Sequence, residues 1–508
     1  MIKFFKICAS ISIIILCFLG MFLFESIDTL MRFFPLENPD AVIFTLTHNV
    51  GGTYKIMWIL LEPCLKGTIE NTLIAFALIA FFSICFTLFH CKKKGIINSR
   101  TIFKNSFYPI VICICFFLLF TWTPVIYKFP LMSYIKFYGS LLSNKPIHNS
   151  LYENEYVHPD SVQISFDKKK NLIFIMLESM ESNFQDKKNG GNLDTNLIPE
   201  ITELAKNNIS FQPGGITVEG TGWTMGETIA KTCGIPLQEP IGQNQHGIRN
   251  YLGKATCLTD ILHKNGYEIK LVQGSDIVFA SMNYFSTSHS IDKKDIYDLL
   301  FFSRKGISPS DTTFFKSIKD ADLYSEVKNI TKSLEKQSKP WMIWLYTLDT
   351  HFPYGRIDSS CVEIPPSIEK KDQYPYVLRC ASKLINDFIE WARTQEWFEN
   401  TTIAVMGDHP AMIAPEIVGF PQEKLEHYWH VFFVNSEIRP IESQKRAFTS
   451  FDMYPTILEA MGARIDGHAL GLGHSLFSSE HTLIEKYGKD SLNALIKKKG
   501  TKYKAFWD

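Results

Sequence analysis

The chain reads as an α/β protein with a mainly parallel sheet flanked by helices, preceded by an N-terminal three-helix transmembrane region. Three observations predict this. Short, bulky apolar runs at 171–177, 341–346 and 401–406 have the length and composition of strands buried on both faces. Segments of helical periodicity lie between them, and strand–helix alternation argues for a parallel sheet with helices on its faces. Ahead of them, residues 1–127 carry long apolar stretches of membrane-spanning length.

Residues 7–24 are almost uninterrupted apolar sequence behind Lys3 and Lys6, with no small-residue cleavage signature after them. They predict a retained span rather than a signal peptide. Residues 72–89 and 107–127 are the next two spans, each long enough for a hydrocarbon core of about 30 Å. Lys92, Lys93, Lys94, Arg100 and Lys104 crowd the loop between these two. With Lys3 and Lys6 they mark the cytoplasmic side, which sends everything after Tyr127 outside. Residues 40–61 are apolar but interrupted by His48, Asn49, Gly51, Gly52 and Lys55. A fourth span would break the charge agreement, so this segment is expected in the outer interface or as a loop.

Residues 128–170 mix prolines with polar turns and predict a tether, which puts the extracytoplasmic domain at 171–480. Within it, 196–207 predicts a helix with Asn196 as N-cap and Pro199 in its first turn. A helix at 260–265 leads into a strand at 267–273, and 377–395 is an amphipathic helix. Residues 481–508 carry a lysine run from Lys497 to Lys504 before Phe506 and Trp507. They predict a solvated basic tail, with contact to anionic headgroups as the alternative. Basic and acidic residues balance at 52 each, so no field favours nucleic acid as a partner. The four cysteines beyond the membrane region, Cys233, Cys257, Cys361 and Cys380, permit disulfides in an oxidising compartment. The pairs nearest in sequence, 233 with 257 and 361 with 380, are the expected ones, and free buried thiols the alternative.

The candidate chemistry lies at the ends of the apolar runs. The first ends at Glu178-Ser-Met-Glu181, the second is followed by Asp349-Thr-His351, and the third ends at Gly407-Asp408-His409. Open α/β sheets place ligands at the carboxyl ends of their strands, so these acids and histidines should converge. A fourth stretch, Glu219-Gly-Thr-Gly-Trp-Thr224, precedes a segment that reads as a helix from 225 to 231. Its glycines at 220 and 222 let the backbone turn, and helix-start N–H groups favour an anion such as phosphate. Taken alone, this turn fits an ordinary N-capped helix as well as a nucleophilic threonine. Taken with three carboxylate and imidazole strand ends, it predicts a metal site with an activated nucleophile at Thr224. Glu181, His427 and His430 match no such pattern and are read as structural.

Leu177-Glu178-Ser179, Gly220-Thr-Gly-Trp-Thr224, Asp349-Thr-His-Phe-Pro353 and Gly407-Asp-His409 together resemble the alkaline phosphatase and sulfatase superfamily. The branch is that of lipoteichoic acid synthases and phosphoglycerol transferases. Thr232-Cys-Gly-Ile-Pro-Leu237, Val272-Gln-Gly274, Phe279-Ala280 and Gly471-Leu-Gly473 most resemble the phosphoglycerol transferases that decorate periplasmic glucans. The resemblance runs from about 40 to 477.

Carried over residue by residue, this resemblance implies Glu178, Thr224, Asp408 and His409 as ligands of one divalent cation, manganese first, with magnesium or zinc as alternatives. Thr224 is then both ligand and nucleophile, and His351 the substrate-binding histidine. The implied reaction moves phosphoglycerol from phosphatidylglycerol to a periplasmic glucan through a phospho-threonine-type intermediate. The implied location is the bacterial inner membrane, with the catalytic domain in the periplasm among membrane lipids. Ala280 and Met282 stand about where lipoteichoic acid synthases carry a tryptophan and an arginine on the headgroup, a departure from the pattern. Alternatives within the class are phosphoethanolamine transfer and lipoteichoic-acid-type polymerisation. Sulfate-ester hydrolysis is disfavoured, because no Cys or Ser followed by the sulfatase Pro/Ala and Arg stands at 221–237. Outside enzymes, the alternative is a membrane-anchored binding module, and the intact set of four ligands speaks against it.

Overall fold

The computed structural model describes residues 13–26, 29, 54–94, 111–123 and 148–507, apart from 239–249, 312–315, 359, 360, 362, 364, 366, 422, 423, 441–443 and 499. The chain divides into two compact units, Met1–Pro35 with Tyr54–Lys145, and Leu36–Thr53 with Pro146–Asp508.

In the first unit the dominant element is one helix, Tyr54–Lys94, of 41 residues with Pro63 inside it. Its stretch Leu61–Phe81 is long and apolar enough to cross a membrane, and among the described residues it is the one helix that is. Leu73, Ile74, Leu78 and Phe81 stand exposed along it. Ile13–Ser26 and Val111–Thr123 are shorter apolar helices. The expected span at 72–89 falls inside the long helix, whose most apolar stretch begins eleven residues earlier than predicted. The segment expected in the interface is helical from Tyr54 onward, and its first part, 40–53, lies outside the described residues.

In the second unit, seven strands form the sheet. They are β1 (Asn171–Leu177), β2 (Ile209–Ser210), β3 (Glu268–Gln273), β4 (Ile296–Tyr297), β5 (Trp341–Tyr346), β6 (Thr401–Gly407) and β7 (Val431–Val434). Their spatial order is β2-β7-β6-β1-β5-β3-β4. β6, β1, β5, β3 and β4 run parallel, while β7 pairs antiparallel with both β6 and β2. Every residue of β1, β5 and β6 is buried, which explains why these strands are continuous apolar runs rather than alternating ones.

Successive side chains of these strands enter two separate cores, as the two-residue period of a strand requires. Leu172, Phe174, Met176, Trp344 and Met406 pack with helices α2 (Thr224–Cys233), α3 (Leu258–Lys264) and α6 (Met453–Ala460). Ile173, Ile175, Leu177, Ile343, Leu345 and Val405 pack with α1 (Pro199–Asn207), α4 (Asp320–Leu334) and α5 (Tyr374–Arg393). The expected disulfides are present. Cys233–Cys257 ties the end of α2 to the start of α3, and Cys361–Cys380 anchors a loop to α5.

Two expectations at the domain edges are corrected. Residues 148–170 are no loose tether: Leu151 and Tyr152 are buried, and Ile164–Phe166 pairs antiparallel with Ala463–Ile465. The solvated tail is likewise folded into the unit. Leu483, Leu492, Ile496 and Tyr503 are buried, and the Trp507 ring lies 4.9 Å from that of Tyr251. Apolar side chains on the inner face of these last helices outweigh the lysines on the outer face, and burial is what an amphipathic segment gains by docking. Tyr503 donates to the Pro236 carbonyl and accepts from Gln238 N, and Asn149 donates to the carbonyls of Leu495 and Lys498.

Candidate metal centre

β6 and β1 run in register through Gly407 opposite Leu177, so the residues that follow them, Asp408 and Glu178, leave the sheet side by side. Asp408 N donates to the Leu177 carbonyl at 2.9 Å, extending the ladder one step past the strand. Ser179 then turns with φ 53°, a left-handed conformation uncommon for a residue with a side chain. That turn brings Ser179 N onto Asp408 Oδ1 at 2.7 Å, while the Ser179 hydroxyl donates to Glu178 Oε1 at 2.7 Å. His409 N also donates to Asp408 Oδ1 at 2.7 Å. One oxygen of Asp408 is therefore fixed by backbone amides, and Oδ2 is turned the other way.

Thr224 reaches this point from the opposite core, as the first residue of α2. Gly220, with φ 76°, closes the turn ahead of it and accepts from Leu237 N at 3.1 Å. A Cβ there would meet the Leu237 carbonyl at 2.8 Å, so only glycine fits. Thr224 Oγ1 lies 3.2 Å from Asp408 Oδ2 and 3.4 Å from His409 Nε2. His409 Nε2 lies 3.4 Å from Asp408 Oδ2 and 3.7 Å from Glu178 Oε1. Glu178, Asp408 and His409 are all buried, and their ligand atoms lie within 4.8 Å of one another.

Two carboxylates packed together in a buried site favour protonation. Burial first, and then the Asp408 charge, raise the Glu178 carboxyl well above the usual carboxylate range. Burial alone would lower the His409 imidazole, but the Asp408 and Glu178 carboxylates raise it. Its Nδ1 donates to the Pro410 carbonyl at 2.9 Å, which leaves Nε2 as the nitrogen turned to the acids. A divalent cation fits this donor set: two carboxylate oxygens, one oriented imidazole nitrogen and a hydroxyl, crowded together and buried. Such an oxygen-rich set suits magnesium, manganese or zinc. The structure thus brings together all four residues that the sequence marks as ligands.

His351 stands on the loop after β5. Its Nδ1 donates to the Phe352 carbonyl at 2.7 Å, and burial pulls its imidazole down to about 4. The smaller influences on it are the charges of His409, which lowers it, and of Asp408, which raises it. Ala280 and Met282 are buried in the core, so neither side chain presents a headgroup contact. Thr221, the neighbour of the nucleophile candidate in sequence, is buried, with its hydroxyl bonded to Val218 O and N at 2.9 and 3.1 Å.

Several supporting residues have no motif to announce them. Lys231, on α2 two turns beyond Thr224, is fully buried and donates to Glu227 Oε2 at 2.5 Å and to the Asp408 carbonyl at 2.8 Å. Its ammonium sits 4.0 Å from the centre of the Trp429 ring. Thr350 donates to the Glu178 carbonyl at 2.5 Å, and Glu178 N donates to Thr347 Oγ1 at 3.0 Å. Glu181 Oε2 and His427 Nδ1 are hydrogen-bonded at 2.6 Å beside the strand end, a contact that fits the structural reading of both.

A model of the sulfatase family matches residues 170–463, which include every residue of this centre. Phosphoglycerol transferase I of Xanthomonas campestris pv. campestris (strain B100) is 26% identical over 347 residues, 66% of this chain and 46% of that protein. Phosphoglycerol transferase I of Salmonella paratyphi B is 27% identical over 320 residues, 61% of this chain and 39% of that protein. The match therefore spans less than half the length of these curated relatives. Among solved structures, the lipoteichoic acid synthase LtaP from Listeria monocytogenes aligns over 65% of this chain and 80% of that one, at 17% identity and a TM-score of 0.47.

Proposed function

The chain belongs to the sulfatase family, and from that premise we propose that it is a divalent-cation-dependent phosphoglycerol transferase with Thr224 as its nucleophile. The observation that carries this reading is the Thr224 hydroxyl at the start of α2, 3.2 Å from Asp408 and 3.4 Å from His409 in a buried acidic cluster. The matches to phosphoglycerol transferases support the group transferred.

Glu178, Asp408, His409 and Thr224 would hold the cation. When bound, it supplies positive charge that favours the threonine alkoxide and the charge on a transferring phosphoryl group. Thr224 Oγ1 attacks the phosphorus of phosphatidylglycerol, the bond to the diacylglycerol oxygen breaks, and glycerophosphoryl-threonine forms as diacylglycerol leaves with a proton. A hydroxyl of an extracytoplasmic glycan, with a periplasmic glucan as the first candidate, then attacks the same phosphorus and restores Thr224. A helix start such as that of α2 at Thr224 favours an anion, which suits a phosphoryl group held there. His351, held by the bond from its Nδ1 to the Phe352 carbonyl, is the substrate-binding histidine of this reading, placed to hold a phosphate oxygen or to donate to the leaving group. The apolar helices of the first unit suit a protein whose donor is a membrane lipid, with the second unit in the periplasm.

The test is intact-mass analysis of the full chain in detergent with manganese, after incubation with phosphatidylglycerol or phosphatidylethanolamine, followed by peptide mapping. A glycerophosphoryl adduct on Thr224 from the first lipid, absent in Thr224→Ala and present in Thr221→Ala, is expected. An ethanolamine-phosphoryl adduct, or an adduct that survives Thr224→Ala, refutes the assignment.

A further inference from the structure

His351 is carried by a turn whose geometry depends on a buried cluster that includes none of the four ligands. Asp349 N donates to Asp320 Oδ2 and Asp320 N donates to Asp349 Oδ2, both at 3.1 Å, while Leu348 N donates to Asp320 Oδ1 at 2.7 Å. The start of α4 and the end of the β5 loop are thus bound reciprocally through two buried carboxylates. One guanidinium joins them. Arg356 Nε donates to Asp349 Oδ1 at 2.8 Å, and Arg356 N donates to the Asp349 carbonyl at 2.6 Å. Between these two ends, His351 N donates to Leu348 O and Gly355 N to His351 O, at 3.1 and 3.0 Å.

The same guanidinium also reaches the segment before α4. Nη1 donates to the Ser317 carbonyl and hydroxyl at 2.7 and 3.0 Å, and Nη2 donates to the Ile318 carbonyl. Ile318 N in turn donates to the carbonyl of Gly274, which directly follows β3, at 2.9 Å. A Cβ on Gly274 would meet the Ile318 carbonyl at 2.8 Å, so the two backbones touch. From Gly274 the chain runs into 276–283, where Ala280 and Ser281 take successive left-handed conformations. On its other side the His351 turn is fixed to the ligand Glu178 through Thr350. Arg356 is 7% exposed, and its rigid fork bridges Asp349 on the His351 turn to Ser317 and Ile318 before α4.

We propose that Arg356 is a positioning residue that locks the His351 turn and the segment after β3 into one rigid frame, and so sets how substrate is held against Thr224. This rests on the transferase reading for its kinetic consequence, and on the Arg356 contacts alone for its structural one. The donor class is a phospholipid headgroup, presented to a frame built from two loops of the same sheet edge.

The experiment compares full-length wild type, Arg356→Lys, Ser317→Ala, His351→Ala and the Arg356→Lys/His351→Ala pair, with two readouts. In hydrogen exchange, Arg356→Lys should raise exchange together in 348–356 and 274–283 and leave 401–410 unchanged. In diacylglycerol release from phosphatidylglycerol vesicles with a glucan acceptor present, Arg356→Lys should lower kcat about tenfold or more, with manganese affinity within about twofold of wild type. The pair should be no slower than His351→Ala by more than about twofold, because residues acting through one another are not additive. Ser317→Ala, a milder loss of one acceptor, should give a smaller effect in the same direction. Multiplicative losses in the double variant, or exchange that rises in only one of the two loops, overturn the proposal. If wild type releases no diacylglycerol while the two loops still loosen together in Arg356→Lys, the transferase reading fails and the rigid frame stands.

Discussion

Replacing Lys231 by methionine isolates the buried ion pair beneath the candidate centre. Lys231 and Glu227 are both fully buried, so no solvent screening weakens the pair. Burial raises the Glu227 carboxyl and lowers the Lys231 ammonium, and their mutual attraction opposes both shifts. Methionine matches the length of the lysine stem but removes the donor to Glu227 at 2.5 Å, the donor to the Asp408 carbonyl at 2.8 Å and the cation 4.0 Å from Trp429. Glu227 is then left buried without its partner. Breaking a buried pair from one side costs about 3–5 kcal/mol, whereas replacing both members by apolar groups is near neutral. Lys231→Met should therefore unfold about 3–5 kcal/mol more easily than wild type, and Lys231→Met/Glu227→Leu should recover to within about 1 kcal/mol of it. Urea titration followed by tryptophan fluorescence, in EDTA so that no bound cation adds linkage, measures both. The double variant should still bind manganese about tenfold more weakly, because the Asp408 carbonyl has lost its donor. If the single variant is as stable as wild type, or the double is as weak as the single, the pair does not hold α2 against the Asp408 loop as described.

The remaining predictions concern stability at other points. Burial lowers the His430 imidazole to about 4, against a backbone hydrogen bond to Glu181 that raises it. As pH falls, the unfolded chain takes up this proton first, so stability is full above about 6.5 and drops by about 3 kcal/mol on passing to pH 4. His430→Asn should flatten that part of the pH–stability curve, and an unchanged slope contradicts the assignment. Cys233→Ser/Cys257→Ser should cost about 3 kcal/mol, the loop-closure value for a separation of 24 residues, read from the urea midpoint of oxidised protein. Truncation after Glu480 removes Leu483, Leu492, Ile496, Tyr503 and Phe506 from the core and should abolish the cooperative thermal transition of the second unit. A truncated chain that melts like wild type would mean these helices are dispensable.

What could be read in the sequence follows from how each element is buried. β1, β5 and β6 are sealed on both faces, so their apolar runs are unbroken and their ends mark Glu178, Asp408 and His409. β2 and β4 are two residues each and carry no periodicity to detect. Lys231 and Glu227 are spaced i,i+4, the usual signature of a solvated helix surface, and nothing local distinguishes a pair with no exposure. Asp320 and Arg356 lie in no motif, and their partnership with Asp349 exists only once β5 and α4 are in place. The C-terminal segment shows the opposite error. Lysines at 497, 498, 502 and 504 dominate its composition, yet Leu492, Ile496, Tyr503 and Trp507 form the inner face that decides its position. Charge density describes what faces water, and it hides a stripe of four apolar residues.

The contacts of Asn149 with Leu495 and Lys498 cross 346 and 349 residues, and the Tyr152 ring lies 5.5 Å from that of Tyr503. During synthesis, the helix at Ser150–Asn154 is made early but waits for almost the whole unit to emerge before its partners exist. The unit cannot complete itself piecemeal behind a ribosome or a translocon. It exposes an unfinished apolar surface until its last helices are made, and so depends on whatever shields nascent chains in the meantime.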